Sequence, residues 1–165
     1  MYRDTALVCL NGHLVNDAFN RVPRNNSEFC PRCGERTINA CEQCSSAIPG
    51  DLLNSPEDEF VFLGGPSSYE RPAYCRGCGK PFPWTASALD AAKEYAAEIE
   101  GLSDDERRLL SESLDDLVTD GPRTAIAVSR FKRLANKAGT GAVEGFRSIL
   151  VDVMSEAVRR QMFGS

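Results

Sequence analysis

Cysteine and histidine hold the reactive chemistry of this sequence, because thiolate sulfur and imidazole nitrogen bind borderline metal ions such as zinc. The 165 residues include seven cysteines and a single histidine, and all of these lie before residue 79. They fall into four pairs: Cys9/His13, Cys30/Cys33, Cys41/Cys44 and Cys75/Cys78. Three pairs enclose two residues and the first encloses three. Two ligands so spaced on a tight turn face one ion, with the intervening backbone N–H groups directed at the sulfurs. Glycines follow Cys33 and Cys78, which suits the positive φ that comes after such a turn; Gly12 offers the same freedom just before His13. Eight ligands complete two tetrahedra, one of three cysteines and a histidine, the other of four cysteines. Both are closed structural sets, with no position left for a catalytic water. Two structural zinc ions are therefore expected.

How the pairs combine is a separate question. Sequential pairing puts Cys9, His13, Cys30 and Cys33 on one ion and Cys41, Cys44, Cys75 and Cys78 on the other. Interleaving, as in cross-braced modules, joins Cys9/His13 with Cys41/Cys44. Only seven residues separate Cys33 from Cys41, which favours a direct step from one ribbon to the next. The second site then closes over 30 residues, and loop-closure entropy grows slowly with length. If His13 is not a ligand, Asp17 or a water must complete the first set. Four cysteines also suit an iron–sulfur cluster, but ribbon-like spacing favours zinc. Disulfides are the less expected use of these thiols, since the N-terminus lacks a secretory signal pattern and a cytoplasmic, reducing location is expected.

The elements that hold these ligands differ between the two halves. Residues 1–84 contain eight of the nine prolines and only short apolar runs, such as Ala6-Leu7-Val8 and Phe60-Val61-Phe62-Leu63. Short strands and knuckles are expected there, in a small β-rich double zinc ribbon stabilised by metal. Residues 85–165 read instead as about four helices in an all-α bundle. Ser87–Asp90 and Ser103–Glu106 have the form of capping boxes. Leu109, Leu110, Leu114, Leu117 and Val118 mark one helix face, and Ile126, Val128, Phe131, Leu134 and Ala135 the next. Asp120-Gly121-Pro122 and Gly139-Thr140-Gly141 separate the helices. A final helix takes Phe146, Ile149, Leu150, Val153, Met154, Ala157 and Val158. Pro81-Phe82-Pro83-Trp84 joins the halves.

The segments Val8–His13, Phe29–Gly34, Cys41–Cys44 and Tyr74–Thr85, in this order and with Pro-Phe-Pro-Trp after the last knuckle, resemble an uncharacterised bacterial family of double zinc-ribbon proteins, a domain-of-unknown-function family. The Asp120–Thr124 stretch and the helix after it resemble that family's C-terminal portion. The resemblance implies metal binding at the eight positions and no particular reaction.

Net charge is −5, split as −2 over residues 1–84 (8 basic, 10 acidic) and −3 over residues 85–165 (11 basic, 14 acidic). Neither half is basic, which disfavours nucleic acid as the main partner. Arg123, Arg130, Lys132, Arg133 and Lys137 do give the third helix a basic face. The bland account, a solvated face paired with carboxylates of neighbouring helices, is the one expected. No apolar run approaches the roughly 20 residues that span a bilayer, so no membrane role is expected. With His13 and all cysteines on metal, no spare base or nucleophile remains, and no phosphate-binding glycine loop appears. No catalytic role is therefore expected. The reading that follows is a structural zinc protein acting as a protein-interaction adaptor. The alternatives are a nucleic-acid-associated regulator or, less expected, a redox-sensitive zinc switch. Apolar surface left over on the final helix would serve a homodimer.

Overall fold

A computed structural model describes residues 2–53 and 69–164. The expected strand over Phe60–Leu63 lies outside them. The chain forms two compact units, Met1–Trp84 and Thr85–Ser165.

The first unit is built from very short strands. Strand β1 (Tyr2–Thr5) pairs antiparallel with β5 (Pro49–Leu53), and β2 (Leu7–Cys9) lies between β3 (Leu14–Asn16) and β4 (Thr37–Ile38) in an antiparallel sheet. All of β2 is buried, and its pairing of Val8 with Ile38 and Cys9 with Thr37 sets the first ligand beside the strand that follows the second pair. Among the described residues, Ala6, Ala18, Ile38 and Ile48 are the other main aliphatic core members, and Phe82 and Trp84 are buried aromatic ones. Strands this short and a core with few aliphatic groups among the described residues favour a further source of cohesion. One buried polar anchor is Asp4. Its carboxylate accepts from Thr5 N–H (2.6 Å), Asn20 N–H (3.1 Å), Asn20 Nδ2 (2.8 Å) and Arg21 N–H (3.1 Å). Burial alone raises a carboxyl's pKa, but these hydrogen bonds outweigh it and hold Asp4 below its ordinary value.

The second unit has five helices among the described residues: α1 (Pro83–Glu98), α2 (Asp104–Thr119), α3 (Thr124–Ala138), α4 (Thr140–Leu150) and α5 (Glu156–Phe163). The capping box at Ser103 forms in full, with Glu106 N–H on Ser103 Oγ (3.2 Å) and Ser103 N–H on Glu106 Oε2 (2.9 Å). The one proposed at Ser87 does not. The helix starts earlier, at Pro83, where the first turn needs no N–H from proline, so Ser87 lies inside it. The single final helix of the sequence reading is two helices. Ser155 accepts from Val158 N–H (3.3 Å) and caps a new helix, while the apolar spacing runs on through the break.

Phe131 of α3 is the hub of the core. It meets Phe146 of α4 and Phe163 of α5 edge-on, with centroids 5.1 and 6.1 Å apart; Tyr95 of α1 meets Phe146 likewise at 4.9 Å. Val128, Leu134 and Ala135 are buried as expected, but Ile126 is 52% exposed and Ala127 takes the inward place. Residues two apart on a helix lie on nearly opposite sides, so Ile126 and Val128 never shared a face. Among the described residues no helix is long and apolar enough to cross a membrane.

Candidate metal centres

Three loops of the first unit share one local design. In each, the first cysteine's carbonyl accepts from the backbone N–H four residues on: Gly34 on Cys30, Ser45 on Cys41 and Gly79 on Cys75, all at 2.8 Å. The first cysteine's own N–H donates back to the residue five on, at 2.8 Å again: Glu35, Ser46 and Lys80. Isolated bridges close the base of each loop, Phe29 with Arg36, Ala40 with Ala47 and Tyr74 with Pro81. The chain turns at a residue with positive φ, +75° at Gly34, +71° at Gly79 and +61° at Ser45. The fourth pair uses a different turn. Cys9 N–H donates to His13 O (3.0 Å) and Gly12 N–H to Cys9 O (2.8 Å), with Gly12 at φ +85° between β2 and β3.

These turns bring the eight residues into two groups. Cys9, His13, Cys30 and Cys33 converge in one, and Cys41, Cys44, Cys75 and Cys78 in the other; within each, the ligand atoms lie within 4.8 Å of one another. The grouping is sequential rather than interleaved. A tetrahedral zinc with Zn–S of about 2.3 Å and Zn–N of about 2.0–2.1 Å requires S···S edges of about 3.8 Å and S···N edges of about 3.6 Å. The edges found are Cys9–Cys33 at 3.8 Å, Cys41–Cys78 at 3.8 Å and Cys44–Cys75 at 3.6 Å. His13 presents Nδ1, at 3.6 Å from Cys9 Sγ and 3.7 Å from Cys30 Sγ. A disulfide would hold its sulfurs at about 2.05 Å, so all seven cysteines are free thiols. Both clusters are thus geometrically suited to a metal ion.

The electrostatics agree with that use. The backbone N–H of Glu35, helped by Asn11, draws the Cys33 thiol down to about 6. The side chain and backbone of Ser46 do the same for Cys44, also to about 6. At Cys78 the Lys80 N–H acts in the lowering direction. Lost hydration and the thiols of Cys44, Cys41 and Cys75 outweigh it and push Cys78 up to about 11. Burial raises Cys9, and its neighbouring thiols add to this against the N–H groups of His13 and Asn11. Each cluster therefore has one exposed thiol held below its ordinary value, Cys33 in the first and Cys44 in the second. A divalent ion binds thiols in their deprotonated form.

Sequence reasoning overlooked three residues here. Ser45 takes the left-handed turn without being glycine; its place after Cys44 matches Gly34 after Cys33 and Gly79 after Cys78. Asn11 Nδ2 donates to Cys33 Sγ at 3.5 Å, and Ser46 Oγ lies 3.2 Å from Cys44 Sγ. Alignment of the three loops on their cysteines would have pointed to Ser45; nothing in the sequence pointed to Asn11.

The basic residues of α3 divide. Arg123 pairs with Asp116 (3.0 Å) and Lys137 with Glu106 (2.7 Å), while Arg130, Lys132 and Arg133 make no ion pair among the described residues.

Residues 2–162 match the family described as "Uncharacterized protein conserved in bacteria (DUF2321)". The chain belongs to this family. No curated protein and no solved structure matches the chain. The DUF2321 match covers both units, so the two clusters and the helices fall within one family unit.

Proposed function

We propose that each cluster holds one zinc ion, that both ions are structural, and that the chain is a binding scaffold rather than an enzyme. The observation that carries this reading is the convergence of four ligand atoms within 4.8 Å of one another in each cluster, with five of the ligand–ligand distances at 3.6–3.8 Å, the edge lengths of a zinc tetrahedron. Four protein ligands converge at each cluster, so each ion would be coordinatively complete. The short strands and few buried aliphatic groups among the described residues of the first unit support a structural role, because metal-binding free energy then becomes folding free energy, on the order of 10 kcal/mol per site.

The scaffold reading is a protein-interaction adaptor in a reducing, cytoplasmic setting. It is supported by side chains that the rigid knuckles hold out to solvent. Phe29, 56% exposed, stands at the base of one knuckle, and Arg32 and Arg76 lie at the tips of two. The test is to strip zinc and block its rebinding. Order in the first unit should collapse while most helical circular dichroism persists, and partners captured by the loaded chain should be lost. A first unit that keeps its dispersed NMR spectrum without metal would refute the reading.

A further inference from the structure

The two clusters contain three exposed thiols, and two of these are contacted by a polar side chain that is not itself a ligand. Cys33 is the exposed member of the first cluster, and Asn11 Nδ2 donates to its sulfur across the seam between two turns, at 3.5 Å. In the second cluster Cys44 and Cys78 are exposed, and Ser46 Oγ lies 3.2 Å from Cys44 Sγ. The Ser46 hydroxyl also sits in a seam: a Cβ added at Gly77, on the opposing knuckle, would fall 2.1 Å from it. The same relationship therefore occurs in both clusters through unrelated residues, one amide and one hydroxyl.

The proposed ligation gives these contacts a direction. A metal-bound sulfur is a thiolate and has no proton to donate, so at 3.2 Å Ser46 must be the donor. One zinc with three thiolates and a neutral imidazole leaves a net charge of −1; with four thiolates it leaves −2. That excess charge sits on sulfur, and the exposed sulfurs are where water, acid or a competing chelator begins to displace the ion. A fixed N–H or O–H at such a sulfur stabilises the thiolate and opposes its protonation.

We infer that Asn11 and Ser46 are positioning residues that donate hydrogen bonds to the metal-bound thiolates of Cys33 and Cys44 and slow release of the ion from their respective sites. This rests on the zinc reading above. Gly77 then has a role as well, since its missing side chain leaves room for the Ser46 hydroxyl.

The test uses the full chain loaded with zinc and a chromogenic chelator, with cadmium NMR of the cadmium-loaded chain to separate the three-sulfur from the four-sulfur site. Ser46→Ala should speed release from the second site roughly tenfold and leave the first unchanged. Asn11→Ala should do the same at the first site. Asn11→Asp is the decisive variant, because it keeps the shape, removes the donor and sets a carboxylate beside the thiolate. It should release faster than Asn11→Ala and shift only the three-sulfur cadmium resonance. Release at the unmodified rate with unshifted resonances would overturn the inference, as would Asn11→Asp being milder than Asn11→Ala, since Asn11 would then merely fill space. A wild-type chain that holds no ion would instead refute the metal reading and the inference with it.

Discussion

Replacing Gly77 with alanine should weaken the second metal site and spare the first. Gly77 lies between Cys75 and Cys78, and its φ is not in the left-handed region, so backbone strain is not the issue. Space is. An added Cβ would lie 2.1 Å from Ser46 Oγ, 2.9 Å from Ser46 Cβ and 3.2 Å from Cys44 Sγ. Rotation of Ser46 relieves the first contact but not the second. Carbon–carbon contacts settle at about 3.5–4.0 Å, so Ser46 Cβ must retreat from 2.9 Å by at least about 0.6 Å. Cys44 is two residues away in the same knuckle, and metal–ligand distances tolerate only about 0.2 Å. Overpacking of this kind costs about 1–3 kcal/mol, which is a weakening of roughly 5- to 150-fold. Competition with a chelator of known affinity, read separately for the two sites, measures it. Unchanged affinity at the second site, or equal loss at both, would refute the argument that this glycine is there for inter-knuckle clearance.

Ser45→Gly should stabilise the zinc-loaded first unit by about 0.5–1 kcal/mol, because a left-handed residue with a Cβ costs about 1–2 kcal/mol and glycine's extra entropy returns part of the gain. A lower thermal midpoint would contradict this. Lys137, with the Ser103 N–H, holds the Glu106 carboxyl below its ordinary value. Its contribution is therefore present above the ordinary glutamate range and lost as pH falls through the lowered value. Glu106→Gln should accordingly lower the helical unit's midpoint at pH 7, with the gap to wild type closing in acid; a gap that widens in acid would be the wrong sign. Phe146→Ala removes a fully buried ring packed edge-on against Tyr95 and Phe131, and should cost the helical unit about 3–5 kcal/mol in urea unfolding. A loss below about 1 kcal/mol would show that this aromatic cluster is not its core.

The ligand clusters were legible because knuckle geometry is local. Two residues between cysteines mark the turn, with a glycine after the second in two of the three knuckles and Ser45 in the third, and the short step from Cys33 to Cys41 favoured sequential grouping. The helical half was legible where a cap coincided with a change in hydrophobic periodicity, as at Ser103. It was misread where the two signals separated. Ser155 caps α5, but Phe146, Leu150, Val153, Met154 and Val158 keep helical spacing across the break, so periodicity alone merged two helices. Ser87 has the letters of a capping box inside a helix that Pro83 had already begun. Asn11 could not be found from sequence, because its contact with Cys33 spans 22 positions and exists only once both turns have met.

The central claim is that seven sulfurs and one imidazole nitrogen surround two zinc ions. X-ray absorption at the zinc edge on the purified chain, with elemental analysis on the same sample, tests it most directly. The account predicts two zinc ions per chain and an average shell of 3.5 sulfurs and 0.5 nitrogen, from seven cysteines and one histidine shared by two ions, with sulfur at about 2.3 Å. One ion per chain, iron in place of zinc, or a shell dominated by oxygen would contradict it.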